Sequence, residues 1–336
     1  MPKPIFIIGT QRSGSNLLRL MLNESPDIAA PHPPHILKIF MPLLPVYGDL
    51  KEHKNFHTLV NDVCLFVQKN PVTWDLQPET EAILAACQEN TLFEVMRQVY
   101  AQTALAKHAA YFCCKSMANV EILPELWAAL PDATFIYLYR DGRDVAVSFT
   151  KAFVGEKHFY SIAQQWKKDQ LLALDFKKKY KPNNWFEIQY EAFIRSPEKI
   201  LTDLCHFLSI EYEANMMQYH KSQESQRAAN AGDMWKNVIK PVLADNKQKF
   251  LKEANSAQVL IFETVAGDVL AELGYECVFP NTERPPFSPT EIAAFEAENQ
   301  RLKAEIRQKV SAEELEKRKG QEELLSEILL RRVEQI

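Results

Sequence analysis

The sequence predicts an α/β fold with a mostly parallel central sheet, helices on both faces and a C-terminal helical extension. Short apolar segments rich in β-branched and aromatic residues alternate along the chain with longer segments of helical periodicity. That alternation is typical of parallel sheets, whose strands are joined by crossover helices. The first apolar segment also runs through a glycine-containing loop into a helix, which indicates an anion site at the edge of the sheet.

The buried strands are predicted from their apolar runs and from the turn residues that bound them. They cover 4–9 (PIFIIG), 111–117 (YFCCKSM), 133–140 (ATFIYLYR) and 184–191 (NWFEIQYE). Helical patterns cover roughly 79–109, 119–130, 142–153, 158–180 and 196–208. The last of these begins with Ser196 as N-cap and Pro197 at the first helical position. Cys113 and Cys114 are neighbours in a strand and should point to opposite faces of the sheet.

The composition changes near residue 280, which divides the chain into an α/β domain (1–280) and a proline-rich linker with a charged helical tail (281–336). The sequence SPTE at 288–291 has the form of a capping box with proline at the first helical position. The apolar residues that follow have a/d spacing, with Asn299 at a core position, until the register slips between Val310 and Leu315; they are Ile292, Phe295, Leu302 and Ile306. Two alternatives stay open: a solvated or back-packed tail helix, or a helix that forms a homodimer.

The net charge and the cysteine spacing argue against several classes of protein function. The net charge of −5 provides no bulk basic field to recruit nucleic acid. The six cysteines have neither metal-ligand nor redox spacing, so reduced thiols and a cytoplasmic location are expected. No stretch has the length and apolarity of a signal peptide core or a membrane span.

The first chemical motif is GTQRSGSN, residues 9–16, between the first strand and an apolar helix. Its glycines have the spacing of a P-loop nucleoside triphosphatase, but Ser15 and Asn16 stand where that loop has lysine and a hydroxyl residue. The helix N-terminus offers free N–H groups, and an arginine guanidinium suits phosphate or sulfate. We therefore expect an anion site rather than a bare turn; its residues are Arg12, Ser13, Gly14, Ser15, Asn16 and Leu17.

The second motif is RDGRDVAVS, which follows the strand at 133–140 and leads into a helix. Arg140 stands at the carboxyl edge of that strand, where open parallel sheets bind their ligands. Ser148 lies on the following helix and is able to reach the same anion. Taken alone, the stretch is equally compatible with a charged surface turn.

Together, PIFIIGTQRSGSNLLRLML and FIYLYRDGRDVAVSF resemble the sulfotransferase family that uses 3′-phosphoadenosine-5′-phosphosulfate (PAPS). The resemblance spans about residues 4–275 and includes IQYEAFIRSPEKILTDLCHFLSI and AGDMWKN. It implies a 5′-phosphosulfate loop at 9–17, a 3′-phosphate held by Arg140 and Ser148, and Tyr190 near the adenine. It also implies that Arg12 replaces the loop lysine of the cytosolic members. PAPS has no γ-phosphate, so the magnesium-binding groups missing from the loop are not needed and no metal is expected.

The resemblance also directs the search for catalytic residues. Sulfuryl transfer to a hydroxyl needs positive charge near the leaving phosphate and a base near the acceptor. Lys115, at the end of its strand, is the candidate for the charge. The family's catalytic histidine falls on Met117, and the glutamate of its tyrosylprotein branch falls on Pro33. We therefore expect His32, held between prolines, as the base, with His35 as second choice.

Residues 32–110 should supply the acceptor site, and their apolar segments favour a small hydrophobic alcohol such as a sterol, lipid or polyketide hydroxyl. Most of these apolar residues are equally explained as helix cores. Two other functions stay open: a nucleotide-phosphate kinase or triphosphatase with a degenerate loop, and a non-catalytic module that binds PAPS or its product, adenosine 3′,5′-bisphosphate (PAP).

Overall fold

A computed structural model describes residues 1–309 and 311–333 and contains a five-stranded, fully parallel sheet in the order β2-β3-β1-β4-β5. Its strands are β1 Lys3–Ile8, β2 Ile28–Ala29, β3 Tyr111–Cys114, β4 Thr134–Tyr139 and β5 Trp185–Gln189. Helices cover both faces, so the predicted P-loop-like α/β class is confirmed. The two-residue strand β2 was not predicted, because so short a segment carries no periodic signal.

The helices connect and cover these strands. In chain order they are α1 Ser15–Asn23, α2 Ile36–Phe40, α3 Leu44–Tyr47, α4 His53–Gln68, α5 Thr80–Ala86, α6 Leu92–Ala106, α7 Leu123–Ala129, α8 Gly142–Lys151, α9 Phe159–Tyr180, α10 Tyr190–Arg195, α11 Pro197–Leu208, α12 Gln223–Ala231, α13 Phe250–Glu253, α14 Ser256–Glu272, α15 Pro289–Gln308 and α16 Ala312–Val333. Short 3-10 segments cover Met41–Leu43, Met117–Ile122, Ala214–Lys221, Asp233–Ile239 and Asn281–Glu283.

The strands alternate their side chains between two buried layers. Phe6 of β1 packs in the layer with α4 and α6, whereas Ile7 packs in the opposite layer with α1 and α11. Cys114 and Cys113 divide between the same two layers, as predicted. A third apolar cluster joins α8, α9 and α14 beyond the edge of the sheet. Because both faces are buried, the strands read as continuous apolar runs rather than alternating ones.

Several predicted elements differ in extent. The strand predicted at 184–191 ends at Gln189, where α10 follows, and the helix predicted at 119–130 begins as a 3-10 segment before α7. The helical pattern predicted at 79–109 is divided into α5 and α6, because the side chain of Thr91 accepts a hydrogen bond from the backbone N–H of Glu94 and begins a new helix. The strand predicted at 111–117 ends at Cys114. Lys115 and Ser116 therefore follow the strand at the carboxyl edge of the sheet, where ligands bind in this architecture.

The tail helices α15 and α16 pack back against the rest of the chain. The predicted capping box between Ser288 and Glu291 starts α15. Asn299 of α15 is buried, as are Leu324 and Ile328 of α16, which join the apolar layer that contains α4. Val310, in the predicted register slip, lies outside the described residues. Within the described ranges, no helix is both long and apolar enough to cross a bilayer.

Candidate active site

The phosphate loop connects β1 to α1 with two glycines in the left-handed region of φ. Gly9 has φ 125°, and a Cβ there would lie 2.4 Å from the carbonyl oxygen of Leu138. Gly14 has φ 89° and precedes the first residue of α1; a Cβ there would lie 2.4 Å from the ring of Tyr190. Both positions therefore require glycine for conformation and for space.

Substituting Gly14 should cost more stability than the backbone conformation alone explains. Gly14→Ala combines positive φ with overlap on Tyr190, and we expect a loss of about 2–4 kcal/mol in unfolding free energy. Gly274 is the matched control, because its φ is +82° and a Cβ there would have no neighbouring atom within 4 Å. Gly274→Ala should cost about 1–2 kcal/mol. Urea unfolding checks both, and equal losses would show that the contact with Tyr190 is unimportant.

Polar atoms of the loop are buried without a protein partner. Ser13 is fully buried, and neither its Oγ nor Oδ1 of Asn16 has a hydrogen-bond partner among the described residues. Both lie by the N-terminus of α1, whose first N–H groups have no partner within the helix. Buried polar groups are normally satisfied, and a hydroxyl and free N–H groups can donate to an anion, whereas an amide oxygen only accepts hydrogen bonds. The Ser13 hydroxyl and the start of α1 therefore form a candidate anion site.

Arg140 is buried at the carboxyl end of β4, against the phosphate loop. Its Nη1 donates to the carbonyl oxygen of Arg12 at 3.2 Å, and its Nη2 donates to the carbonyl oxygen of Asn246 at 2.8 Å. Asp144 pairs with it at 3.3 Å, and the ring centroid of Tyr190 lies 4.3 Å from the guanidinium carbon. Its Nε has no partner among the described residues and is available to a ligand.

The Arg12 side chain brings the two predicted motifs together. Its Nε donates to Oγ of Ser148 at 3.0 Å, although 136 positions separate the two residues. Burial, and then the charge of Arg140, lower the pKa of Arg12 to about 10. The guanidinium thus lies on the Ser148 side of the site, beside the group predicted to hold the 3′-phosphate. A half-buried arginine in such proximity to a buried one favours an anionic ligand.

Lys115 adds a third cation close by. Its side chain is only 8% exposed, and burial together with the charges of Arg19 and Arg12 lowers the pKa of the ammonium to about 7. The structure therefore places Lys115 in the same basic cluster as the phosphate loop. Such a cluster is unfavourable without an anion and favourable with one.

The two predicted base candidates, the buried His32 and the half-buried His35, lie at the start of the segment that follows β2. Nδ1 of His35 lies 2.8 Å from Oγ of Ser116, next to Lys115. Nε2 of His32 has no partner among the described residues, and its ring contacts the ring of Trp235 edge-on at 4.9 Å. Burial, and then neighbouring cations, lower the pKa of His35 to about 3 and that of His32 well below its ordinary value. Both imidazoles are therefore neutral at pH 7.

A cavity of about 210 Å³ opens beside the phosphate loop. Its lining mixes apolar and polar groups; it comprises Gly9, Thr10, Gln11, Lys38, Met117, Ala118, Glu121, Phe149, Gly155, Glu156, Ile162, Gln165 and Asp169. Asp169 accepts hydrogen bonds from Oγ1 of Thr10 at 2.9 Å and from Nε2 of Gln165 at 2.7 Å. Burial raises the pKa of Asp169 to about 6.

Two buried charged residues at the site were not predicted. Arg19 is 0% exposed; its Nη1 contacts the carbonyl oxygen of Ala30 and Glu224, each at 2.7 Å, while Nε and Nη2 have no partner among the described residues. Arg19 follows Ser15 by four positions, which puts both on one face of α1. Asp169 lies between the buried Trp166 and Ala173 on one face of α9. A charge within an apolar face is the signal that would have identified either residue.

The fold and this cluster of cations describe a P-loop-like α/β protein with a candidate anion site at the carboxyl ends of its strands. A family model described as "Sulfotransferase family" matches residues 4–214, and the chain belongs to that family. Protein-tyrosine sulfotransferase A of Caenorhabditis elegans is 22% identical over 302 residues, which cover 88% of this chain and 72% of that protein. Protein-tyrosine sulfotransferase 1 of Danio rerio is 22% identical over 298 residues, which cover 84% of this chain and 75% of that protein.

Solved structures of sulfotransferase domains share the fold. The sulfotransferase domain from the curacin biosynthetic pathway has a TM-score of 0.55 and 20% identity, covering 82% of this chain and 99% of that one. The sulfotransferase domain from the Synechococcus PCC 7002 olefin synthase has a TM-score of 0.52 and 22% identity. The match covers 78% of this chain and 94% of that one. The predicted family is thus confirmed, whereas the roles of individual site residues stay predictions.

Proposed function

We propose that this sulfotransferase moves the sulfuryl group of PAPS to a hydroxyl of a small, hydrophobic acceptor. The observation that carries the proposal is that Arg12, Arg140 and Ser148 meet beside the loop at residues 9–17, where polar atoms have no partner among the residues that the structure describes. A donor that carries one phosphate at the 3′ position and another at the 5′ position of the same ribose suits two adjoining anion sites. The family match supports sulfuryl transfer as the reaction class.

In this proposal the donor is held at three places. Loop residues 13–17 and the N-terminus of α1 bind the 5′-phosphosulfate, and Arg140 with Ser148 binds the 3′-phosphate. Arg12 lies where it adds charge to the 3′-phosphate side. Tyr190, packed against Gly14 and the Arg140 guanidinium, contacts the adenosine. Asn246 holds Tyr190 at the adenosine end of the proposed donor site, since its Nδ2 donates to the Tyr190 hydroxyl at 2.6 Å.

The chemistry of transfer then falls to three side chains. The bound donor supplies an activated sulfuryl group joined to a phosphate leaving group. Lys115 offsets the charge that develops on that phosphate. His32, or as second choice His35, accepts the proton of the acceptor hydroxyl. Their low pKa values belong to a site crowded with cations, and an anion beside Lys115 and Arg19 raises the proton affinity of both imidazoles.

Binding of PAP should take up a proton at mildly alkaline pH. With its pKa near 7, Lys115 is mostly neutral at pH 8 in the empty site, and an adjacent phosphate restores the ammonium. Affinity for PAP should therefore fall as pH rises above 7. Calorimetry at pH 8 in buffers of different ionisation enthalpy should show uptake of up to about one proton. Lys115→Met should remove that uptake, and uptake that persists in this variant would contradict the assignment.

The acceptor is proposed to be a hydrophobic alcohol of the sterol, lipid or polyketide type. Met117, Phe149 and Ile162 supply apolar wall to the cavity beside the loop. Its carboxylates would accept hydrogen bonds from further hydroxyls. A phenol is the second acceptor class, because two of the relatives are named as protein-tyrosine sulfotransferases.

One assay separates this function from its alternatives. The protein is incubated with PAPS and a panel of alcohols, phenols and a tyrosine peptide, without metal, and PAP release is followed. We expect acceptor-dependent release. Magnesium-dependent ATP turnover would instead favour the kinase or triphosphatase alternative, and PAP binding without transfer would favour a non-catalytic module.

Two further proposals concern the chain as a whole. A cytoplasmic location agrees with its six free cysteines. A homodimer through the tail would have to use surface that the tail does not already bury, such as Leu329 and Leu330, which are 49% and 63% exposed. Light scattering on the full chain tests it.

A further inference from the structure

We propose that the C-terminal tail forms part of the active site, with Asn299 of α15 as a positioning residue that holds residues 152–158 against the cavity. This segment, between α8 and α9, is called the α8–α9 loop below. The inference rests on the proposed function, because it assigns the cavity to the acceptor. It gives a role to a segment that lies beyond the family match at 4–214.

The loop is fixed to the tail through one buried amide. Asn299 is 3% exposed, and its Oδ1 accepts hydrogen bonds from the backbone N–H of Lys157 at 2.7 Å and of His158 at 3.0 Å. Its Nδ2 donates to the carboxylate of Glu156. A single side chain thus contacts three consecutive residues of the loop. Removing it would leave one buried and one partly buried N–H group without this partner, which is costly.

Other side chains of α15 hold the same stretch. Lys303 lies one helical turn after Asn299, and its Nζ pairs with the Glu156 carboxylate at 3.0 Å. Phe295, from the turn before, stacks on His158 with ring centroids 4.8 Å apart and an interplanar angle of 21°. These positions follow the i, i+4 spacing of one helix face. Two residues of the face that was open to interpretation as a dimer seam, Phe295 and Asn299, therefore contact the α8–α9 loop.

The loop is internally braced, so that fixing one end fixes its whole shape. The ammonium of Lys157 is buried and donates to the carbonyl oxygens of Phe149, Val154 and Gly155 at 3.1, 2.6 and 3.0 Å. Phe149, Gly155 and Glu156 are also in the cavity wall, opposite Thr10 and Asp169. Displacement of the loop would therefore change the cavity directly.

The second tail helix reaches the same region. The guanidinium carbon of Arg318 in α16 lies 4.6 Å from the ring centroid of Phe153 in the loop. Its charge is also among the causes that lower the pKa of His32 and of His35. Farther along α16, Arg331 pairs with the buried Asp62 of α4 at 2.6 Å. The tail therefore spans from the loop to α4, with the base candidates close to its path.

The test compares Asn299→Ala with Arg301→Ala in the full chain. Arg301 is the matched control: it is on the same helix, exposed, and pairs with Glu298 and Glu305 of that helix. With 2-naphthol as acceptor, or the panel compound of fastest turnover, Asn299→Ala should raise the acceptor KM about tenfold or more and leave the Kd for PAP within about twofold. Amide exchange of Lys157 and His158 should accelerate about tenfold or more. The control should change none of these.

An exchange of groups provides rescue. Asn299→Asp keeps an oxygen that accepts from the two N–H groups, but it places a second carboxylate against Glu156. Its acceptor KM should therefore be higher than that of Asn299→Ala. Adding Glu156→Gln restores an amide–carboxylate pair with the partners reversed, and KM should return to within about threefold of that of Glu156→Gln alone. A merely structural loss would not be reversed by this second change.

The outcomes distinguish this inference from the proposed function. If the wild type neither binds PAP nor transfers sulfate, the proposed function fails. If the wild type does both, while Asn299→Ala leaves KM and amide exchange unchanged, or the double variant is no better than Asn299→Asp, the tail has no positioning role and only this inference is overturned.

Discussion

Replacing Arg140 with alanine is expected to weaken PAP binding at least about 100-fold, because hydrogen bonds to charged groups contribute about 1.5–3 kcal/mol each and the 3′-phosphate would lose a buried cation. Nε of Arg140 has no partner in the described part of the chain, and the side chain is held between the Arg12 carbonyl, the Asn246 carbonyl and Tyr190. Preorganisation of this kind reduces the entropic cost of binding. Calorimetric titration with PAP measures the effect.

Controls separate binding from folding. Arg140→Ala leaves Asp144 without a buried cation, so its melting curve must accompany the titration. Ser148→Ala removes one hydroxyl with little change in packing and should weaken PAP binding about tenfold. Arg140→Lys keeps the positive charge but loses the planar guanidinium. Its affinity for PAP should lie between those of Arg140→Ala and Ser148→Ala. Wild-type affinity in a folded Arg140→Ala variant would remove this residue from the donor site.

His32→Ala should lower turnover by about 100- to 10,000-fold while the Kd for PAP stays within about twofold, since a general base acts on the acceptor and not on the donor. The imidazole of His32 is neutral at pH 7, and its Nε2 has no partner among the described residues. Its Nδ1 lies 3.4 Å from Nδ2 of Asn70, so the role of base requires the tautomer whose Nε2 carries no hydrogen. The measurement is steady-state PAP release with saturating PAPS.

The same assay on two other variants tests the assignment of the base. His35→Ala should have a smaller effect, because in this proposal His32 and not His35 accepts the proton of the acceptor. Asp169→Asn removes the carboxylate in the cavity wall whose pKa is near 6, and its loss should chiefly change acceptor KM. Turnover that survives in His32→Ala but is lost in Asp169→Asn would move the role of base to the carboxylate.

The sequence could predict those parts of the molecule that depend on residues close together along the chain. The strands were recognisable because both faces of the sheet are buried, which gives each strand a continuous apolar run. The loop at 9–16 and Arg140 were recognisable because helix starts and strand ends have characteristic residues. Their convergence followed from a general rule for open parallel sheets.

The parts that could not be predicted depend on contacts between distant positions. Asp169 meets Thr10 across 159 positions, and Asn299 meets Lys157 across 142. Such pairs leave no trace in a helical pattern beyond an isolated polar residue on an apolar face. Asn299 could be noticed at a core position of α15, but whether its partner was another chain or the α8–α9 loop was a question of tertiary packing.

The most direct test of the central claim compares PAP with adenosine 5′-monophosphate, which lacks the 3′-phosphate, in calorimetric titrations without metal. If Arg12, Arg140 and Ser148 bind that phosphate, PAP should bind at least about 100-fold more tightly in the wild type, and the ratio should fall towards one in Arg140→Ala. Equal affinity of the two nucleotides for the wild type, or tighter binding of ATP with magnesium than of PAP, would contradict the account.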